Sequence, residues 1–275
     1  MEEKGSYILA FRPQDYEIFE YRINKPVSIK DPNDSSPIHF VLQSTDEIKI
    51  NNRHSIEYFI PNNIALLLSI SEKALNRALD IFKENINPDK PKNDVSKTTE
   101  ENKIDFLKGK SKLYCDYIEE IETSIVFSYT AVEAFANISI PEDYLFHSPE
   151  KDGIIYTKKA IERWTSLEEK VAKILPDIYK AHSIKSKKFW NSFKLLEQYR
   201  NSIIHQKTVE KADFFKSYFK DNISEICKSG ESVIRYFYDA HTEKNKTNPL
   251  WPWLIGKEKD FPITLGDLSK VEKKK

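Results

Sequence analysis

The spacing of hydrophobic positions changes along the chain, and that change divides it. Over residues 6–60 they come as short β-branched and aromatic runs: Tyr7 to Phe11, Ile18 to Ile23, Ile38 to Leu42 and Ile56 to Ile60. Turn-forming clusters separate them, Arg12-Pro13-Gln14-Asp15, Asp31-Pro32-Asn33-Asp34 and Asn51-Asn52. Runs of this kind between such clusters predict a small antiparallel β element. From Pro61 the apolar positions recur at threes and fours. Ile64, Leu67, Leu68, Leu75, Ala78 and Phe82 predict a helix capped by Asn62 or Asn63 and ended before Asn87-Pro88.

Residues 86–102 then lose nearly all apolar content and carry Pro88 and Pro91, the mark of a mobile loop inside the domain. A long helix follows, from about Ile104 or Lys110 to Asn137. Its core stripe is Ile118, Ile121, Ile125, Val132 and Ala136, with Val126, Thr130, Glu133 and Asn137 on a neighbouring line. Pro141 ends it. Beyond a connection over 141–156, Thr157 caps a helix expected to turn Ile161, Trp164, Leu167, Val171 and Ile174 inward. A fourth helix runs from near Phe189, and a last one carries Phe215, Phe219, Ile226, Val233 and Phe237 on one side. The expected fold is therefore mainly α: about five helices over 61–245, a β-rich appendage over 1–60, and a tail over 246–275. In that tail Pro249-Leu250-Trp251-Pro252-Trp253 is expected to dock its indoles on the bundle, and the last residues are lysines.

Charge adds little to this picture. Lys plus Arg and Asp plus Glu each number 43 in 275 residues, so a nucleic-acid site has to come from local clustering. Cys115 and Cys227 both fall within helical patterns, which excludes a disulfide scaffold and a multi-cysteine metal site and suits a reducing, cytoplasmic compartment. No apolar run approaches membrane-spanning length, and no membrane partner is expected.

The chemistry concentrates in Tyr199-Arg200-Asn201-Ser202-Ile203-Ile204-His205-Gln206. On a continuous helix Arg200 shares the apolar stripe of Phe193, Leu196 and Ile203, where an unpartnered guanidinium is several kcal/mol unfavourable. It should meet a carboxylate such as Glu133 or Glu197, a subunit boundary or a bound anion. His205 supplies a side chain able to exchange protons near neutral pH. Lys185, Lys187 and Lys188 precede the motif and Lys207 follows it, a local positive cluster that favours an RNA-facing groove. The Arg-to-His spacing recurs loosely at Arg235 and His241. The first pair is preferred because a polar residue follows its arginine, a basic segment precedes it and an acidic helix lies upstream.

Arg200-Asn201-Ser202-Ile203-Ile204-His205 near the end of a helix, with the earlier helix Ser128-Tyr129-Thr130-Ala131-Val132-Glu133-Ala134-Phe135-Ala136-Asn137, resembles the HEPN superfamily over roughly residues 61–241. The resemblance implies metal-independent endoribonuclease activity, with toxin or phage-defence roles, an RNA substrate and a prokaryotic source. It also implies a homodimer in which two copies of the motif form one site, and it admits an antitoxin or regulatory partner. By position, Arg200 would neutralise the scissile phosphate, Asn201 orient it and His205 move protons, with Glu133 in support. RNA carries its own nucleophile in the 2′-hydroxyl, so no cofactor or metal is called for, and the products would be a 2′,3′-cyclic phosphate and a 5′-hydroxyl. On a continuous helix Arg200 and His205 point about 140° apart, so a single copy does not aim both at one point unless the helix ends near Ile204. Two further readings stand beside this one. One is a non-catalytic HEPN-like module binding a nucleotide, a nucleic acid or a protein; the other is a structural interaction protein with Trp251 and Trp253 marking its contact surface.

Overall fold

The computed structural model describes residues 6–11, 16–30, 39–147, 153–205, 213–240, 248–256 and 263–265. The fold is mainly α, with a small β element built largely from the N-terminal part of the chain. By contact the chain divides into two units: Met1–Leu66, Ala134–Ser183 and Arg235–Lys275 form one, Leu67–Glu133 and Ile184–Ile234 the other.

The first unit holds the sheet. Strand β3 (His39–Asn51) pairs antiparallel with β1 (Ser6–Phe11), β2 (Val27–Lys30) and β4 (His54–Phe59). The β3–β4 turn falls at the anticipated Asn51-Asn52, where Asn51 Oδ1 accepts from the backbone N–H of Arg53 and His54 at 2.9 and 3.1 Å. Ile18 to Ile23 is not a strand. Glu20 turns back to accept from the N–H and Nε of Arg22 at 3.0 and 2.8 Å, a local bond that competes with a ladder, and only Ile23 bridges, to Pro61. The short strands β5 (Phe146–His147) and β6 (Ile155–Tyr156) pair with each other, and the unanticipated strand β2 pairs parallel on its other side with β7 (Ile263–Leu265), drawn from the tail.

The same unit buries the tail's indoles. Trp251 is fully buried, its Nε1 donating to Ser139 Oγ at 2.9 Å and its ring 4.7 and 5.0 Å from those of Tyr238 and Phe135. Trp253 is buried as well, which removes both from any contact surface. Lys25 places its ammonium 4.5 Å over Tyr238 and 5.1 Å over Trp253. The expected helix from Thr157 is broken: α3 (Lys158–Trp164) ends at Thr165, and a second run begins at Leu167 with Ser166 Oγ accepting from Glu169 N. The break turns Trp164 outward, 67% exposed, against its expected inward position. The second run, α4 (Leu167–Glu169), passes through the π-helical turn Lys170–Ile174 into α5 (Leu175–Tyr179), which carries Pro176 in its first turn.

In the second unit close helix contacts are made by small side chains. Helix α1 (Asn63–Ile81), whose Asn62 Oδ1 caps the N–H of Ala65 at 2.9 Å, meets α2 (Glu100–Ser139) where Ser71 Oγ donates to Ser124 O at 2.9 Å. Helix α8 (Ile223–Ala240) meets α2 where Ser128 Oγ donates to Cys227 O at 2.6 Å. A Cβ at Gly230 would lie 2.4 Å from Ser128 Oγ and 2.7 Å from Ser128 O. Over 86–102 the chain forms the 3-10 turns Pro91–Asn93 and Val95–Lys97, with Asn93 buried and Lys110 Nζ donating to Asn93 Oδ1 at 2.6 Å. The single last helix expected from Phe215 is instead α7 (Asp213–Lys216), a 3-10 turn Ser217–Phe219 and α8, parted at Asp221-Asn222.

Two predictions follow from this packing. Gly230→Ala should destabilise by about 1–3 kcal/mol, as overpacking does, and Gly230→Val by more, both read from urea midpoints at unchanged m-value. Burial raises the hydroxyls of Tyr117 and Tyr179 to about 12 and pushes Tyr129, Tyr144 and Tyr218 up as well, while the buried Cys227 thiol rises to about 12. A raised folded value means that the unfolded chain loses its proton first. The stabilisation is therefore complete below the ordinary thiol and phenol values of 9.0 and 10.0 and is lost as pH climbs beyond them. Thermal melts should accordingly be flat up to about pH 9 with respect to these groups and fall steeply between about pH 10 and 12.

Candidate functional site

Helix α6 (Trp190–Ile204) carries the motif, and its place follows from its apolar spacing: Trp190, Phe193, Leu196 and Tyr199 are buried. Tyr199 meets Tyr218 edge-on at 5.9 Å. Arg200, next along the chain, is half-buried at the margin of this face. Its guanidinium carbon lies 4.8 Å from the ring centroid of Tyr129 on α2, and its Nη1 donates to Asn201 Oδ1 at 3.1 Å. Its Nε is buried and has no acceptor. Among the described residues no carboxylate stands within ion-pair distance of it.

The two carboxylates expected to neutralise Arg200 do something else. Glu197 pairs with Lys194 one turn before it on α6, and its Oε1 lies 3.5 Å from the Tyr129 hydroxyl. Glu133, half-buried one turn beyond Tyr129 on α2, acts on that hydroxyl through space. Burial first, then Glu197 and Glu133, push the Tyr129 phenol above its usual range, while Arg200 pulls it down. Tyr129 thus stays a neutral phenol, with its ring face under the cation and its hydroxyl towards the acids.

The helix ends where the motif requires. His205 is the C-terminal cap residue, at φ −113° and ψ 40°, its N–H donating to Asn201 O at 2.9 Å. Helix α6 thus ends at Ile204, while the bond to Asn201 keeps the His205 backbone on the helical turn. Its imidazole and the Asn201 side chain are exposed, and no hydrogen bond joins His205 to Arg200. Lys185, Lys187 and Lys188 are exposed on the approach to α6, Lys185 lying 5.8 Å from the Trp190 ring centroid; Lys207 lies outside the described residues. Of the alternative pair, Arg235 donates to Ile255 O at 2.9 Å and His241 is outside the described residues. Tyr129, to which no role was assigned from sequence, could have been found: it precedes Glu133 by four residues and so shares its helix face. Among the described residues no group of His, Cys, Asp or Glu side chains is arranged to hold a metal ion, and no helix is long and apolar enough to cross a membrane.

A family model described as the YopA C-terminal domain matches residues 112–234, a span that contains both the Tyr129 to Glu133 turn and the Arg200 to His205 motif. No curated protein and no solved structure matches the chain.

The absence of an ion pair gives a direct check on Arg200. Arg200→Met keeps the stem and removes the charge, so it should shift stability by no more than about 1 kcal/mol, the size of an exposed cation–π contact. A guanidinium locked in a buried ion pair would lose about 3–5 kcal/mol on the same change, and urea denaturation separates the two cases.

Proposed function

We propose that the chain is a HEPN-type endoribonuclease that cleaves RNA by attack of its own 2′-hydroxyl, with two copies of the α6 terminus forming one site. The observation that carries this reading is the state of Arg200. Its guanidinium contacts the Tyr129 ring and donates to Asn201, is neutralised by no described carboxylate, and is left with an unsatisfied Nε. A preorganised cation that lacks a counter-ion is suited to a phosphate, whose developing charge it stabilises without reorganising. His205, at the exposed helix end, is free to take the 2′-hydroxyl proton or deliver one to the leaving 5′-oxygen. Ile204 beside it is 52% exposed, which favours a subunit seam at this end of α6. A cytoplasmic toxin or phage-defence role is what the HEPN resemblance suggests.

The second reading, a non-catalytic module binding RNA through the same arginine, is favoured by one observation: no described residue hydrogen-bonds the His205 ring to set its tautomer. A single experiment separates the two. Labelled RNA is incubated with the protein in excess EDTA beside Arg200→Ala and His205→Ala. The enzyme predicts 2′,3′-cyclic phosphate ends, with a fall of about 10²-fold or more in both variants. It also predicts partial recovery when the two variants are mixed and share a dimer. RNA binding that survives His205→Ala, with no cleavage by the wild type, would establish the module instead.

A further inference from the structure

Asn201 faces two ways, and the second leads to a cleft. Beside its bond to Arg200 it lines an open cleft of about 480 Å³ along the exposed face of α6, together with Asn191, Lys194, Leu195, Glu197 and Gln198. All six residues lie on α6, so the cleft is a shallow groove on the surface of one helix. Three of the six side chains are carboxamides, and at 3.6 residues per turn Asn191, Gln198 and Asn201 fall in one band of the helix surface. The single apolar side chain, Leu195, stands among them. The two charges are already matched, since Lys194 pairs with Glu197. The cleft is therefore close to neutral, dense in paired donors and acceptors, and joined through Asn201 to a guanidinium that no described carboxylate neutralises.

We infer that this cleft is a base-reading subsite: it takes one unpaired nucleobase of a single-stranded RNA whose adjoining phosphate sits on Arg200. The inference rests on Arg200 as the phosphate clamp. A carboxamide offers an N–H donor and a carbonyl acceptor side by side, the pair that matches an amino and ring-nitrogen edge; unpaired adenine and cytosine both present one, and the larger adenine ring covers more of Leu195, so adenine is the preferred base. Leu195 supplies the apolar contact for its ring face. In an A-form duplex that edge lies in a major groove too deep and narrow for a side chain to read, so duplex RNA is excluded. The lysines at 185, 187 and 188 lie on the same approach to α6 and extend the backbone track away from the cleft.

The test measures binding of fluorescent oligo(A), oligo(C), oligo(U) and a duplex to the full chain carrying His205→Ala, alone and with Asn191→Ala, Gln198→Ala or Arg200→Ala. Asn191 and Gln198 are exposed, so their variants fold. The subsite predicts that oligo(A) binds most tightly and the duplex least. Gln198→Ala should lose about tenfold on oligo(A) and little on oligo(U), the size of a lost base contact, while Arg200→Ala weakens every oligonucleotide alike. Equal affinity for the three homopolymers, or an oligo(A) preference unchanged in both Asn191→Ala and Gln198→Ala, overturns it. So does a shift from dimer to monomer in those two variants at unchanged preference, which would make the cleft a subunit seam. If Arg200→Ala binds as tightly as its parent while base preference persists, the phosphate clamp fails and the base subsite stands.

Discussion

The arrangement of the second unit depends on how closely α8 can approach α2. At Gly230 there is no room for a β-carbon, and Ser128, directly opposite, spends its hydroxyl on the carbonyl of Cys227. One turn earlier on the same helix Ser124 receives Ser71. Hydrogen bonds between small side chains and backbone carbonyls have directional requirements that apolar packing lacks, so they fix both the rotation and the height of α2. Rotation matters because Tyr129 follows Ser128. With Ser128 pinned inward, the Tyr129 ring is presented to Arg200 and Glu133 stands one turn beyond. The polar cluster around Arg200 is in this sense a consequence of a contact on another face of its neighbour.

That cluster distributes charge in an unusual way. Two acids are near, yet one is committed to a lysine and the other acts only at a distance on a phenol, while the guanidinium is left with an aromatic face and an amide. Tyr129 separates the two sets. Its ring attracts the cation through the quadrupole, and its hydroxyl occupies the acids. An arginine held this way has no salt bridge to a described carboxylate. A salt-bridged arginine would have to break its bond before taking an anion.

Much of the fold was legible because the chain changes period so clearly. The core stripe of α2, with Ile121, Ile125, Val132 and Ala136 all buried, and the cap at Asn62 follow from spacing and residue type alone. The failures share one cause: local polar chemistry too small to register in a hydrophobic pattern. Glu20 and Arg22 turn a strand-like run into a loop, and Ser166 restarts a helix and exposes Trp164. Strand β2 is too short to show a period and takes one partner from the far end of the chain. At the site, Arg200, Asn201 and His205 could be located by motif, but Arg200's neighbours could not, because Tyr129, Glu133 and Glu197 sit on helix faces whose mutual orientation is a tertiary fact. Asn191 and Gln198 were invisible for another reason: on an exposed helix face they look like ordinary solvated residues until the cleft between them is seen.

The parallel pairing of β2 with β7 has a consequence for how the molecule comes into being. Asn62 bonds the carbonyl of Leu250 across 188 residues, Trp251 bonds Ser139 across 112, and β7 lies further on still. Contacts so distant along the chain carry the largest loop-closure entropy and form slowly. On the ribosome the first unit cannot close until residue 265 has emerged, whereas every segment of the second is available once Ile234 is out. Synthesis therefore presents the half that holds Arg200 first and its companion last, and for that interval the aromatic sockets of Phe135, Tyr179 and Tyr238 are without the indole that fills them.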